Sequence, residues 1–285
     1  MKQFLLLAGV CVGQCLSAAE TGTAVEGYLS AVEPSALVAT LSPTLEARGG
    51  QKVGLSAGDV AIGWQGRRIR GTQVESDGKT RLENIFSAEP DECRQANEIT
   101  DGLRRDSFER GRTVTRGLNE LMPNMALWGQ DGKFYLKKDF LGAPLVVNFI
   151  FTRCRNPKMC PASTQVMKQL SEAMDAHPQL KSVKLLSITF DPTYDSPGVL
   201  RMYTDAYQIN SQRHVFLTGD KNQIKDLMRH YGILTTEADG TIVHNSATII
   251  VSAEGRMVQR REGSIFNPEE VLATLEGLIE RTPQP

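Results

Sequence analysis

The chain has 285 residues, with 32 basic and 33 acidic side chains and a formal net charge of −1 at pH 7. Hydrophobic residues make up 40% and charged residues 23%, which is ordinary for a soluble globular protein. The sequence has no excess of basic residues and no alternation of arginine with aromatic residues, so nucleic-acid binding is not expected. The length allows one large domain or two modest ones.

Residues 1–19 are expected to be a signal peptide. Lys2 supplies a positive charge, the run from Phe4 to Val12 is almost wholly apolar, and Ser17–Ala19 provides small residues for cleavage. The apolar run is shorter than the roughly 20 residues that span a bilayer, which disfavours a membrane anchor. We therefore expect cleavage after this segment and a periplasmic or otherwise extracytoplasmic location.

Residues 20–119 form the first region, which we expect to be small and mostly β. Short runs such as Val60–Trp64 and Arg68–Arg70 are predicted strands, and Asp77-Gly78 is typical of a turn. The polar stretch from Asp91 to Arg110 is predicted to be a helix, with its first residue as a candidate N-cap. No motif in this region indicates its role.

Residues 120–285 alternate strands and helices and form the second region. Strands are predicted at Leu145–Phe151, Val183–Phe190 and Val215–Leu217, with a hairpin at Ala247–Val251 and Arg256–Val258. Helices are predicted to begin near Pro161, Pro197, Asp220 and Asn267. This order predicts an α/β sheet with helices on both faces, as in a thioredoxin-like fold.

Removal of the signal peptide leaves Cys93, Cys154 and Cys160, which suggests one functional pair and one leftover thiol. Cys154 follows a predicted strand at its carboxyl end, where ligand sites of open α/β sheets cluster. Cys160 begins the next helix, where free N–H groups and the helix dipole favour a thiolate. We therefore expect a reactive pair and a lowered pKa at Cys160.

A structural disulfide is the alternative for this pair. The closed loop is short, so chain entropy gives a stabilisation of only about 2.4 kcal/mol. A domain of this size should not need a stabilising disulfide at a strand–helix junction. The position therefore favours a functional cysteine pair over a structural disulfide. The flanking charges Arg153, Arg155 and Lys158 are expected to face solvent.

Four segments, in the family's order, resemble the Sco/SenC family of thioredoxin-like copper proteins. They are Phe149–Cys154 with Cys160-Pro161, Asp191–Pro197 (close to the family's DPxxDTP), Tyr231-Gly232, and Val243–Ser246. The resemblance covers about residues 121–280. It implies a thioredoxin-like fold and a role in assembling the dinuclear copper centre of cytochrome oxidase.

The same resemblance implies that Cys154, Cys160 and His244 bind copper as Cu(I) or Cu(II), and thiolate and imidazole ligands suit both states. The implied partner is the copper-site subunit of a cytochrome oxidase or another cysteine-containing protein, with membrane proximity through that partner. The remaining histidines are expected to be structural or exposed: His177, His214 and His230.

The sequence departs from the family in the cysteine spacing, because five residues, Arg155–Met159, intervene instead of the usual three. Met159 is expected to fill a gap rather than bind metal. Asp191 and Asp195 could be acid/base groups, but Asp191-Pro192 and Ser196-Pro197 are expected instead to shape the strand-to-helix turn and to cap the next helix. A polar role near the cysteines is the alternative. Residues 20–119 contain no His and no Met, so no second copper site is expected there.

Two other functions remain open at this point. The first is an extracytoplasmic thiol–disulfide oxidoreductase that acts on partner cysteines through Cys154 and Cys160 without stable copper binding. The second is a binding module with an inert disulfide, whose function lies in residues 20–119. A peroxidase is not expected, because no second resolving arrangement is present.

Overall fold

A computed structural model of the chain describes residues 22–47, 49–238 and 241–281. The predicted signal peptide, residues 1–19, lies outside the described residues. Within the described ranges, no helix combines the length and the apolar character that crossing a membrane requires.

The first region contains a closed five-stranded β-barrel, which confirms the expected small β unit. Its elements are β1 (Thr23–Glu33), β2 (Val38–Ser42), β3 (Gln51–Gly54), α1 (Ala57–Ile62), β4 (Arg68–Ser76) and β5 (Lys79–Ser87). The strand order is β1-β2-β3-β5-β4 with β3 parallel to β5, which is the arrangement of an OB-type barrel. Apolar side chains fill its interior, including Leu29, Trp64, Ile69, Leu82 and Ile85.

The predicted strand at Val60–Trp64 is wrong, because this segment lies largely within the short helix α1. Ser56 is the N-cap, and its hydroxyl accepts a hydrogen bond from the backbone N–H of Asp59 at 3.0 Å. Gly63 ends the helix with a φ of +77°, a conformation that glycine adopts readily. These capping signals outweigh the β-propensity of the two β-branched residues between them.

The predicted polar helix is confirmed as α2 (Pro90–Arg110). Asp91 is not its N-cap, however. Glu89 occupies the cap position without a side-chain hydrogen bond, and Pro90 begins the helix, where its missing N–H costs nothing. Asp91 instead lies in the first turn, where a negative charge is favourable.

The second region is built on a seven-stranded sheet of order β14-β13-β8-β9-β10-β6-β7. The strands are β6 (Ala126–Gly129), β7 (Phe134–Leu136), β8 (Leu145–Ile150), β9 (Lys184–Thr189), β10 (His214–Thr218), β13 (Ala247–Val251) and β14 (Met257–Glu262). A separate hairpin pairs β11 (Thr235–Ala238) with β12 (Thr241–His244). The five strands predicted in this region are confirmed, whereas β6, β7 and the separate hairpin were not predicted.

Helices cover both faces of this sheet, as expected for a thioredoxin-like fold. They are α3 (Cys160–Ala173), α4 (Pro197–Ala206), α5 (Lys221–His230) and α6 (Pro268–Arg281). α3 and α6 pack on one face, and α4 and α5 pack on the other. Every residue of β8 is buried, which explains why the strand is apolar at every position except Asn148, because a central strand of a sheet with helices on both faces has no solvent face.

α2 links the two regions through His230, the last residue of α5. The Nε2 atom of His230 lies 3.0 Å from the hydroxyl of Ser107 on α2. Arg116 donates from Nε to Nδ1 of the same ring at 3.1 Å. His230 is fully buried, and burial lowers its pKa, so it is a neutral structural residue, as expected.

Truncation of Leu170 on α3 is expected to destabilise the protein by about 2–5 kcal/mol, because this side chain is fully buried between α3 and the sheet. Urea unfolding of Leu170→Ala measures the loss. Leu118→Ala is the matched control, since Leu118 is 56% exposed and should change the free energy of unfolding by no more than about 0.5 kcal/mol. Equal losses in the two variants would contradict the assigned core.

Candidate metal centre

The two cysteines lie at the edge of the sheet where β8 and β9 end. These strands are parallel, and their last residues, Ile150 and Thr189, are paired, so the loops that follow leave the sheet side by side. The first loop carries Cys154 and reaches α3, which begins at Cys160. The second loop is the Asp191–Pro197 motif.

The five-residue spacer between the cysteines folds into a compact turn around Asn156. The side-chain oxygen of Asn156 accepts from the N–H of Lys158 at 3.0 Å, and its backbone carbonyl accepts from the N–H of Met159 at 3.1 Å. Asparagine favours such turns because its side chain replaces a backbone acceptor. The turn takes up the additional chain length and returns Cys160 to Cys154.

Three candidate ligand atoms meet at this place. One atom each from Cys154, Cys160 and His244 lie within 4.8 Å of one another, and the Cys160 Sγ atom is 3.6 Å from the His244 Nε2 atom. Metal–sulfur bonds of about 2.3 Å and metal–nitrogen bonds of about 2.0 Å keep two ligands of one ion within about 4.6 Å. With three ligands spread around one ion the separations fall to about 4 Å, so shifts of up to about 1 Å would let all three residues bind one ion.

The ring of His244 is oriented for ligation through Nε2. Its Nδ1 atom lies 2.7 Å from the carbonyl oxygen of Asn245, which can only accept, so Nδ1 carries the proton. The lone pair is then on Nε2, which faces Cys160. Burial lowers the pKa of His244 and favours this neutral form. The ring packs against Phe190 and Phe151, with centroids 4.6 and 6.0 Å away.

His244 reaches the cysteines on the separate hairpin, as the last residue of β12. The side chain of Asn245 closes the base of this hairpin: it donates to the carbonyl of Gly232 at 3.0 Å and accepts from the N–H of Leu234 at 2.7 Å. Gly232 has a φ of +64°, which a turn at this point requires. The Tyr231-Gly232 and His244-Asn245 motifs therefore form one structural unit.

The expected low pKa of Cys160 is wrong for the metal-free thiol. Cys160 does begin α3, but it is only 1% exposed. Burial raises the pKa of its thiol, and the neighbouring thiol of Cys154 adds to the effect. Desolvation therefore outweighs the helix dipole, and Cys160 keeps its proton until a cation replaces it.

Asp195 joins the two loops. It is fully buried, and its carboxylate accepts hydrogen bonds from the backbone N–H of Thr152 at 3.1 Å, from the hydroxyl of Thr152 and from the hydroxyl of Thr189. Burial raises the pKa of Asp195 to about 6. Ser196 caps α4 as expected, whereas Asp195 holds the segment that leads to Cys154. The polar role near the cysteines is thus structural.

Asp191 makes a second link between the loops. It forms an ion pair with Arg153, with an Nε–Oδ2 distance of 3.1 Å, and the guanidinium lies 4.3 Å from the ring centroid of Tyr194. Arg153 remains half exposed, and Arg155 and Lys158 are exposed, as expected for these flanking charges.

The sulfur of Met159 lies 3.5 Å from the hydroxyl of Ser264, so Met159 fills the gap between the cysteine loop and the segment after β14, as expected. The third cysteine and two of the remaining histidines lie outside the site, as the sequence predicts. Cys93 is a half-buried free thiol on α2, His177 pairs with Glu276, and His214 is buried against Ser187.

The SCO1/SenC family model matches residues 114–280. The SCO1 protein homolog of Bacillus subtilis is 24% identical over 157 residues, which are 54% of this chain and 79% of that protein. The mitochondrial SCO2 homolog of Bos taurus is 28% identical over 138 residues, which are 46% of this chain and 50% of that protein. The chain thus spans about half the length of the bovine relative.

Solved structures share the fold of the second region. BsSco, described as a member of the Sco family of cytochrome c oxidase assembly proteins with a disulfide switch, superposes with a TM-score of 0.51 at 21% identity and covers 60% of this chain and 100% of its own. Copper-bound ScoI of Arabidopsis thaliana has a TM-score of 0.50 at 19% identity and covers 57% and 100%. At these identities the likeness shows the fold.

Deprotonation of Asp195 is expected to make stability fall as pH rises from about 4 to 6. Its folded pKa is about 6, whereas an unfolded aspartate titrates near 3.9, so in this window only the folded state keeps the proton. The two-unit difference corresponds to at most about 3 kcal/mol.

Urea unfolding of the wild type and of Asp195→Asn at pH 4, 5, 6 and 7 measures this component. The difference between the two proteins is the decisive quantity, since histidines also titrate in this range. An unchanged pH dependence in Asp195→Asn would contradict the assignment.

Proposed function

Since the chain belongs to the SCO1/SenC family, we propose that it is an extracytoplasmic copper chaperone that carries one copper ion on Cys154, Cys160 and His244. The observation that carries the proposal is the meeting of these three ligand atoms within 4.8 Å. In this function copper is the cargo of the protein, held until a client takes it.

The donor set suits this cargo. Two thiolates are soft ligands that favour Cu(I), and the added imidazole also allows Cu(II). The Nε2 atom of His244 already has a free lone pair, because the proton of the ring is on Nδ1, which donates a hydrogen bond to the carbonyl oxygen of Asn245. The cysteines must lose their protons when copper binds, so copper affinity rises with pH.

The proposed client is the copper-site subunit of a cytochrome oxidase, and the protein would help to assemble its dinuclear copper centre. The description of BsSco as an oxidase assembly protein and the copper in the Arabidopsis structure support this assignment. The extracytoplasmic location is inferred from the predicted signal peptide at residues 1–19.

Copper titration of the metal-free, reduced protein is expected to give one Cu(I) ion per chain. Cys154→Ser and Cys160→Ser should each weaken Cu(I) binding at least tenfold, because serine removes a soft ligand. His244→Ala should weaken Cu(II) binding more than Cu(I) binding. Competition with a chromophoric chelator measures the affinities.

Two substitutions of the same residue types away from the site serve as matched controls: Cys93→Ser and His177→Ala. They should leave both affinities unchanged, since Cys93 lies on α2 and His177 pairs with Glu276. Unchanged copper uptake by the Cys154→Ser, Cys160→Ser double variant would reject the copper function.

The alternative function, a thiol–disulfide oxidoreductase, is favoured by the same two sulfur atoms. Both thiols are free and their sulfurs lie within 4.8 Å, so closure to a disulfide of about 2.05 Å needs a shift of less than 3 Å. In this exchange the pair loses two electrons and two protons and becomes a disulfide, while a partner disulfide becomes two thiols. His244 is not needed for this reaction.

A reduction potential well above about −300 mV is expected if the pair exchanges disulfides, because purely structural disulfides lie below that value. Equilibration with glutathione measures it. Cys154→Ser should abolish exchange, whereas His244→Ala should retain it. A pair that stays oxidised in strong reductant would count against this function.

A further inference from the structure

One contact between the N-terminal barrel and the second region is made by two glycines, Gly58 on α1 and Gly198 on α4. α1 packs directly on α4, and a Cβ atom at Gly58 would lie 2.8 Å from the carbonyl carbon of Gly198, closer still to its oxygen, and 3.0 Å from Met202 Cγ. Contacts this short involve backbone atoms, which cannot rotate away. The absence of a side chain at residue 58 therefore sets how closely the two helices approach.

The carboxyl group of Asp59 completes this contact. It occupies the space that a side chain at Gly198 would need, with its Cγ atom 2.6 Å from the position of that Cβ. Ser56 and Trp64 donate hydrogen bonds to it at 2.5 and 3.1 Å, so its orientation is fixed by the barrel. A negative charge here faces the first turn of α4, where the helix dipole favours it.

The start of α4 is the end of the loop that holds the cysteine segment. Ser196 is the N-cap of α4, and Asp195 directly precedes it. Asp195 accepts two hydrogen bonds from Thr152, which lies two residues before Cys154. A displacement of α4 at Gly198 therefore moves Asp195 and, through Thr152, the backbone that carries the first sulfur.

We infer that the barrel is a positioning element of the metal centre, acting through Gly58 and Asp59 on α4 and from there through Asp195 on Cys154. The inference rests on the proposed function insofar as it takes the Cys-Cys-His group as the working site. It gives the first region a role that requires no ligand or partner of its own.

Gly58→Ala in the full-length chain tests this inference. The added methyl group must push α4 away from α1, so the distance between the two sulfurs changes although the substitution lies in the other region. We expect at least a tenfold change in the equilibrium constant between the Cys154–Cys160 disulfide and glutathione in the metal-free protein, which corresponds to about 30 mV. Cu(I) affinity should weaken in parallel.

Gly102→Ala is the matched control. Gly102 also lies within a helix, and a Cβ atom there would meet nothing within 4 Å. This substitution should leave the disulfide equilibrium and the copper affinity unchanged. Thermal unfolding of all variants reports the fold separately from the site.

Asp59→Asn is the second variant, since it keeps the shape of the side chain, removes its charge and replaces one of the two oxygens that accept hydrogen bonds from Ser56 and Trp64 with an amide NH2 group. It should shift the disulfide equilibrium in the same direction as Gly58→Ala, by a smaller amount. It also decides the question if Gly58→Ala does not fold.

The inference is overturned if folded Gly58→Ala and Asp59→Asn both keep the wild-type disulfide equilibrium, or if Gly102→Ala shifts it equally. Failure of the proposed function gives a different result, because a wild type that binds no copper still has a measurable disulfide equilibrium. The metal-free measurement thus tests the coupling independently of copper.

Discussion

The buried carboxylate of Asp195 is the interaction on which the site depends. A charge without exposed surface is costly unless hydrogen bonds replace its water, and Thr152 and Thr189 supply them. These two residues lie where β8 and β9 end, so one group fixes both loops to the sheet and to each other. The parallel pair of β8 and β9 therefore fixes the position of the loop that carries Cys154.

The ligand set is divided between two supports of different construction. Cys154 and Cys160 belong to the sheet edge and to α3, whereas His244 belongs to a hairpin outside the main sheet. The hairpin is held at its base by Asn245, and the ring of His244 rests on Phe190 and Phe151. Burial keeps both His244 and the Cys160 thiol neutral, so the metal-free site places no charge on its buried members.

The sequence predicts the second region well because its elements carry strong local signals. The largely apolar β8 and the prolines at the starts of α3, α4 and α6 identify a strand and three helix starts. The β11–β12 hairpin lacks such an apolar pattern, although Asp239-Gly240 between its strands is a typical hairpin turn sequence. In the barrel, Ser56 is an N-cap signal that could have identified α1. The alternating apolar residues that follow it suggested a strand instead.

Within the site, the identities of the three candidate ligands follow from the motif, but their electrostatics do not. The position of Cys160 at a helix start indicates a low pKa, and only the folded structure reveals that its burial reverses this. Likewise, the DPxxD pattern indicates a turn, while the hydrogen bonds that Thr152 donates to Asp195 depend on a pairing between distant strands. Long-range contacts of this kind leave no local trace in the sequence.

The two sulfurs differ in exposure, so the centre is accessible from solvent mainly through one of them. Cys160 is 1% exposed and lies beneath the loop, whereas Cys154 is only half buried and lies nearer the surface. In the proposed copper transfer, an incoming thiol or imidazole of another protein would therefore reach Cys154 before Cys160. The buried sulfur of Cys160 would then be the later of the two thiolates to be replaced, so the proposed release of copper would be stepwise.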